Sequence, residues 1–259
     1  MQSYRLTAEV VGRAAREALA AGEGEVCAVF RRSFYLRFGD RYACIGDASL
    51  GHGPLNALVP AFSAPPLGAT VRVSLENSRS WMPPPVRSAA RPNLEALRAC
   101  LDGHVPEEGL GCVILGVDNA LSVHAQPALE AVDRWLAGNT LGNEAAQLIG
   151  LGPGLTPSGD DYLGGVLMAL RWVGRGAQAD SLWRWLEPHL AQRTSAISAA
   201  HLAAAATGEV HEALHEVLSD LSAWEAPDLL PSLARLDAIG HTSGWDALAG
   251  IVAVARTSQ

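Results

Sequence analysis

The chain has 259 residues, 49% of them hydrophobic, and a formal net charge of −8. That apolar share excludes a disordered chain, and the acidic balance argues against nucleic acid as a partner. No run of about 18 apolar residues occurs, so no membrane span is expected.

All 19 basic residues counted as Lys plus Arg are arginines. Without lysine there is no Walker A loop, lysine Schiff base or lysine general base. A bound phosphate or carboxylate must be held by arginine, backbone amides or a metal. The cysteines, Cys27, Cys44, Cys100 and Cys112, form no CxxC or metal-ligand spacing. They are expected to be reduced thiols in a cytoplasmic protein.

The first 22 residues mix charge with alanine and predict an amphipathic helix, not a signal peptide. VCAVF (26–30), FYLRF (34–38) and RYACI (41–45) are rich in β-formers, and Phe34, Leu36 and Phe38 share one face. Gly39-Asp40 between two such runs predicts a tight hairpin. GHGPLN (51–56) is a connector and TVRVSLE (70–76) a further strand. Three consecutive prolines in MPPPVRSAARP (82–92) fit neither ladder nor helix and predict a domain boundary. GLGCVILGV (109–117) is apolar and short, and strand and helix remain open for it.

Beyond residue 125 the chain reads as helices stopped by Gly138, Gly150, Gly174 and Gly208. The alanine-rich segment 196–206 has small residues on every face and is placed near the centre of a bundle. The expected fold class is α+β. A β-rich, barrel- or sandwich-like unit over 1–85 with a leading helix precedes an all-α helical bundle over 86–259.

GLGPGLTPSGDDYLGG (150–165) concentrates six glycines, two prolines, two hydroxyls and two aspartates between helices. Ser158 can cap a helix and Asp161 can close a capping box, with Asp160 and Asp161 in the first turn. A cap needs one good residue, however, and this stretch has many. A glycine-rich loop entering a helix also aims free N–H groups at one point, a ready anion site. Magnesium between carboxylate and phosphate, or an aspartate accepting from an amide-bearing substrate, would reconcile the anion with the acidic pair.

SGDDYLGGVL (158–167) recurs as SGWDALAGIV (243–252). Ser158/Ser243, Gly159/Gly244, Asp161/Asp246, Leu163/Leu248 and Gly165/Gly250 stand in register. Two equivalent loop-to-helix turns facing one cleft are expected. Asp161, His241 and Asp246 are the catalytic candidates. Gly152, Gly154, Thr156, Ser158, Gly159, Asp160, Thr242, Ser243 and Gly244 are the binding candidates. Arg193, beside Thr194 and Ser195 at the start of the alanine-rich helix, is a candidate anion clamp. Arg31 and Arg32 belong to a solvated strand edge.

HEALH (211–215) matches the zinc-protease pattern H-E-x-x-H. It falls at a helix start, at the polar edge of an apolar face, with Glu212 pointing outward and no third ligand following. Two surface histidines are the simpler expectation, and a zinc-dependent hydrolase the remote one. His52, His104, His124, His189 and His201 stand isolated.

GLGPGLTPSGDDYLGG together with IGHTSGWDALAG resembles the paired signature of a bacterial family first described as a domain of unknown function. AVFRRSFYLRF and GHGPLNALVP resemble its early segments. That family is identified with the AllH-type subunit of oxamate carbamoyltransferase. The resemblance implies a cytosolic role in anaerobic allantoin breakdown. There a three-subunit enzyme converts oxalurate and phosphate to oxamate and carbamoyl phosphate. It implies partner subunits and small anionic substrates such as carbamoyl phosphate or oxamate. In that chemistry the loop amides would hold phosphate, Asp161 or Asp246 would orient the amide, and His241 would carry a proton. A non-catalytic assembly subunit is the alternative.

Overall fold

The computed structural model describes residues 3–84, 92–101, 103, 105–223 and 228–257. His104 and most of the proline-rich boundary segment lie outside them. The protein divides into two compact units. One comprises the chain up to Pro84 together with Glu209–Glu212, and the other comprises the rest.

The amino-terminal unit is one eight-stranded sheet curled into a half barrel. Its strands are β1 (Ser3–Thr7), β2 (Val10–Val11), β3 (Glu23–Val29), β4 (Ser33–Phe38), β5 (Arg41–Gly46), β6 (Asn56–Leu58), β7 (Thr70–Ser74) and β8 (Arg79–Ser80). The spatial order is β1-β7-β3-β4-β5-β6-β2-β8. The pairs β1–β7, β5–β6 and β2–β8 are parallel and the other four antiparallel. Phe34 and Leu36 are fully buried, Phe38 nearly so, and Arg37 is exposed, as their alternation predicts. The β4–β5 hairpin turns at Gly39 with φ 67°, and Phe38 pairs with Arg41 across it.

The opening segment corrects the expectation of a leading helix. Residues 4–9 bury alternately, with Ala8 inside and Arg5, Thr7 and Glu9 outside. That is a period of two, and β1 pairs in parallel with β7, Tyr4 opposite Val71 and Leu6 opposite Val73. Only α1 (Arg13–Leu19) is helical, and it buries Ala15, Ala18 and Leu19. The alanines in the composition belong to this short helix, while Thr7, Val10 and Val11 favour strand.

The second unit contains α2 (Leu94–Leu101), α3 (Ala120–Leu136), α4 (Ser158–Trp172), α5 (Gly176–Arg193), α6 (Ala196–Ala206), α7 (Glu212–Leu221), α8 (Leu230–Asp237) and α9 (Ser243–Thr257). GLGCVILGV resolves into a 3-10 turn at Gly111–Ile114. The segment stopped by Gly150 is likewise a 3-10 helix, Asn143–Leu148, not an α-helix. Gly138, Gly150, Gly174 and Gly208 all have positive φ, the backbone that ends a helix.

The centre of this unit is the α4–α9 pair, not the alanine-rich α6. Helices α4 and α9 begin at the matching serines, run 15 residues each and are buried on nearly every side. Helix α6 packs on α4 and α5 but leaves Ala203 in solvent. Its small residues fit against α4, where a Cβ on Gly164 would meet Ala205 at 3.8 Å and Leu202 at 3.9 Å. The α4–α9 contact is reciprocal. A Cβ on Gly165 would run into the carbonyl of Ala247, and one on Gly250 into the carbonyl of Tyr162. In the repeat, Tyr162 and Ala247 are equivalent, so each helix presses its glycine onto the same backbone position of the other.

This contact sets a testable contrast. Gly165→Ala and Gly250→Ala each force two backbones apart and are expected to cost about 1–3 kcal/mol, as overpacking does. Gly164→Ala has ordinary contact room and removes a helix-interior glycine, so it is expected to be neutral or to stabilise by about 0.5–1 kcal/mol. Chemical denaturation of the three variants checks the order.

Candidate functional site

The glycine-rich loop takes its path from backbone geometry. Gly150, Gly152 and Gly154 have φ of 75°, 112° and 89°. A side chain at Gly150 would also strike the carbonyl of Arg193. Pro157 precedes α4 and Ser158 is its first residue, with no side-chain capping bond. The capping box that Ser158 and Asp161 could have made is therefore not formed. The amides of Asp160 and Asp161 bond to the Pro157 carbonyl and that of Gly159 to the Leu151 carbonyl. The helix start thus spends these donors inside the chain and does not offer them to an anion.

The amides left over lie in the loop itself. Among the described residues, those of Gly152, Gly154, Leu155, Thr156 and Ser158 engage in no hydrogen bond. Pro153 and Gly154 are exposed, and Leu155 and Thr156 half-buried.

Asp160 acts as a tether. It is buried and accepts from the Gly150 amide at 2.8 Å, from the Ser198 hydroxyl at 2.7 Å and from the Thr194 hydroxyl. Burial pushes its carboxyl up, and these three donors oppose the shift. Ser195, which caps α6, also donates to the Leu155 carbonyl at 2.5 Å. Asp160 and the start of α6 thereby clamp the loop at both ends.

Asp161 and Asp246 occupy the same position in the two copies of the repeat, and their surroundings are exchanged. The Ser243 hydroxyl lies against Asp161, and the Ser158 hydroxyl against Asp246. Thr156 Oγ1 and Ser243 Oγ are 3.1 Å apart, which joins the two turns directly. Asp246 is fully buried and accepts from the Leu110 amide at 2.5 Å and the Thr242 hydroxyl at 2.8 Å. Burial raises its carboxyl, and those donors oppose the rise. Asp161 is the less satisfied of the two. Its Oδ2 is shut from solvent and has no hydrogen-bond partner among the described residues. Burial holds this carboxyl well above the usual carboxylate range. Ser243 opposes that, Asp246 and Asp160 add to it, and Thr156 opposes it weakly. Two nearby buried carboxylates cannot both ionise cheaply, which adds to the upward shift of Asp161.

Other candidates lie differently. Gly159 and Gly244 are packing positions, with Cβ atoms that would meet the carbonyls of Leu148 and Leu236. Arg193 ends α5 instead of opening α6. It is exposed and donates to the Ala146 carbonyl at 2.9 Å, so it is not a buried clamp. His241 is exposed, with Nε2 at 2.9 Å from Glu108. The HEALH segment is not arranged as a zinc site. His211 precedes α7 and its Nε2 lies 3.0 Å from the Leu50 carbonyl. Glu212 holds the backbone amide and Nδ1 of His52 at 2.7 and 2.5 Å. His215 is buried, not on the surface. His52 is therefore not isolated; its ring also stacks on Trp81 at 5° and 6.4 Å.

The sequence reading gave no site role to Gly109, Leu110, Thr194, Ser195 and Ser198. Gly109 has φ 77°, and any side chain there would strike Asp246. Its signal was a glycine on either side of Leu110 in a stretch read only for its apolarity. The donor set does not make a magnesium site by itself. Asp160 and Asp246 have both oxygens engaged, which leaves Asp161 Oδ2 alone. The four cysteines are free thiols, and no helix among the described residues is long and apolar enough to cross a membrane.

Fold and turns together define an α+β protein whose helical unit is organised around a repeated acidic helix start. Residues 148–255, which contain both turns, match the family model described as oxamate carbamoyltransferase subunit AllH, the family that the sequence resembles. No solved structure gives a significant match to the chain.

The Asp161 carboxyl gives a pH prediction. A carboxyl raised in the folded state contributes stability below its unfolded pKa of about 4, and that contribution is lost as pH rises through the folded value. Asp161→Asn keeps the shape without the charge. Its unfolding temperature should exceed that of the native chain at pH 8, and the gap should close towards pH 4 in scanning calorimetry. Asp160→Ala leaves three donors unpaired and should destabilise at pH 7 by about 2–4 kcal/mol.

Proposed function

We propose that the chain is a subunit of an oxamate carbamoyltransferase-like enzyme, and that the loop over 152–158 is its small-anion site. The reaction is oxalurate plus phosphate to oxamate plus carbamoyl phosphate. The family match over residues 148–255 supports the subunit reading. The observation that carries the anion site is the group of unengaged amides at Gly152, Gly154, Leu155, Thr156 and Ser158 beside the Asp161–Asp246 pair. Successive unpaired amides form a concave donor set suited to phosphate or carboxylate oxygens.

The acidic pair is compatible with an anion where one carboxyl keeps its proton, which the upward shift of Asp161 favours. A protonated Asp161 donates a hydrogen bond to an oxyanion, and an ionised one accepts from the amide nitrogen of oxamate or oxalurate. Asp246, fixed by Leu110 and Thr242, positions the Thr242–Ser243 turn around it. Thr156 and Ser243 supply hydroxyls at the same place. His241, in the turn that carries Thr242 and Ser243, takes the role of proton carrier to the leaving nitrogen.

Thermal unfolding of the purified chain with phosphate, carbamoyl phosphate, oxamate and oxalurate tests the site. A ligand at 100 times its Kd stabilises by about 2.7 kcal/mol. The expected result is a raised midpoint with at least one of these ligands, lost in Asp161→Asn. No rise with any of them would favour a non-catalytic assembly subunit, and a rise kept in Asp161→Asn would move the site elsewhere.

A further inference from the structure

A second polar recess lies in the helical unit, away from the glycine-rich loop. It is a cleft of about 240 Å³ bordered by α3, the 3-10 turn, Tyr162 of α4 and the α9 residues Ala249, Ala253 and Arg256. The repeat explains why it exists. In register, Ala249, Ala253 and Arg256 of α9 correspond to Gly164, Met168 and Arg171 of α4. On α4 that face is covered by α6, and Arg171 Nε donates to the Ala206 carbonyl at the end of α6 at 2.8 Å. On α9 the equivalent arginine, Arg256, donates to the Val113 and Ile114 carbonyls at 3.0 and 3.2 Å. Those carbonyls end a 3-10 turn of four residues, where α6 has eleven. The shorter partner leaves room above the two alanines.

The lining of that room is charged in one sense. Asp118, Glu130 and Asp133 face it, with Arg256 as the one cation among the lining residues. Arg256 is partly committed to the two carbonyls, and Glu130 is shared with Arg134 at 3.6 Å and Gln126 at 3.1 Å. The floor holds Tyr162, which is only 2% exposed. Tyr162 lines the cleft, the charges of Asp133 and Arg256 act on its hydroxyl, and that hydroxyl engages in no hydrogen bond among the described residues. A hydroxyl on a side chain this enclosed is normally paired, so an open one beside a cavity points to a group that arrives from outside.

We propose that this cleft binds a small organic cation with N–H donors, an alkylguanidinium or alkylammonium group, which donates to the Tyr162 hydroxyl and pairs with Asp133. The excess of carboxylates sets the sign of the ligand, and the volume admits one such group. The lining carboxylates are too spread to form a metal-ligand cluster among the described residues, which favours an extended organic cation over a bare ion. Asp133 is exposed at the edge of the cleft, where partial desolvation raises its carboxyl, with Arg256 opposing and Glu130 adding to the upward shift, so an incoming cation reaches it from solvent.

The test uses the full chain with agmatine and putrescine as probes in isothermal titration, against sodium chloride at matched ionic strength. Saturable binding of one probe is expected, with Kd weakened about 3–10-fold in Tyr162→Phe, the loss of one hydrogen bond. Asp133→Asn should abolish it. Tyr162→Phe removes a single oxygen from an otherwise apolar contact, so its fold is retained, and circular dichroism verifies this. Absence of binding by both probes would overturn the proposal. So would binding unchanged in Tyr162→Phe and Asp133→Asn, which would mark diffuse attraction to an acidic surface.

Discussion

The approach of α4 to α9 is the constraint on which the helical unit depends. Two glycines, Gly165 and Gly250, let each helix seat a backbone carbonyl of the other where a Cβ would otherwise be. Close seating brings the two helix starts to the same place. It puts Ser243 against Asp161 and Ser158 against Asp246, and sets Thr156 beside Ser243. A looser contact would separate the two turns, and the carboxylates would face solvent instead of one another. The geometry of the candidate site is thus a consequence of helix packing, and the loop residues are attached to a framework that is already in register.

The site is expensive by the same logic. Three aspartates with raised carboxyls sit within one region of the helical unit, each opposed by a small set of donors. Asp160 and Asp246 are compensated by backbone amides and hydroxyls and serve to fix the loop and the 3-10 turn. Asp161 is compensated only in part, by the Ser243 and Thr156 hydroxyls, and an orphaned buried oxygen persists in folded proteins chiefly where something else is gained. The division of labour among three similar side chains comes from what each can reach, not from residue type.

Much of this was legible in the sequence. The alternation of Phe34, Leu36 and Phe38 gave the buried face of β4, and the glycine stops gave the ends of α4 and α6. The register of SGDDYLGGVL with SGWDALAGIV anticipated two equivalent helix starts joined at one place. The opening strands were hidden because alanine and charge favour helix locally, while pairing with β7, far along the chain, decided the outcome. The role of α6 was misjudged because small residues on all faces permit burial without requiring it. Asp160 as a tether, and Gly109 and Leu110 as the seat of Asp246, depend on contacts between segments distant in sequence, which no local pattern encodes. Glu212 looked outward on a helical wheel, yet it meets His52, 160 positions away.

The return of residues 209–212 to the amino-terminal unit has a consequence for how the chain is made. Arg13 pairs with Glu209 at 2.6 Å, and His52 is held by Glu212. A ribosome releasing the first 84 residues exposes a sheet whose arginine and histidine still lack these carboxylates. They arrive only after α3 to α6 have been synthesised. Domains otherwise tend to fold in the order they emerge. Here the amino-terminal unit is completed by residues made after α3 to α6, so its final polar ties must wait for those helices to exist.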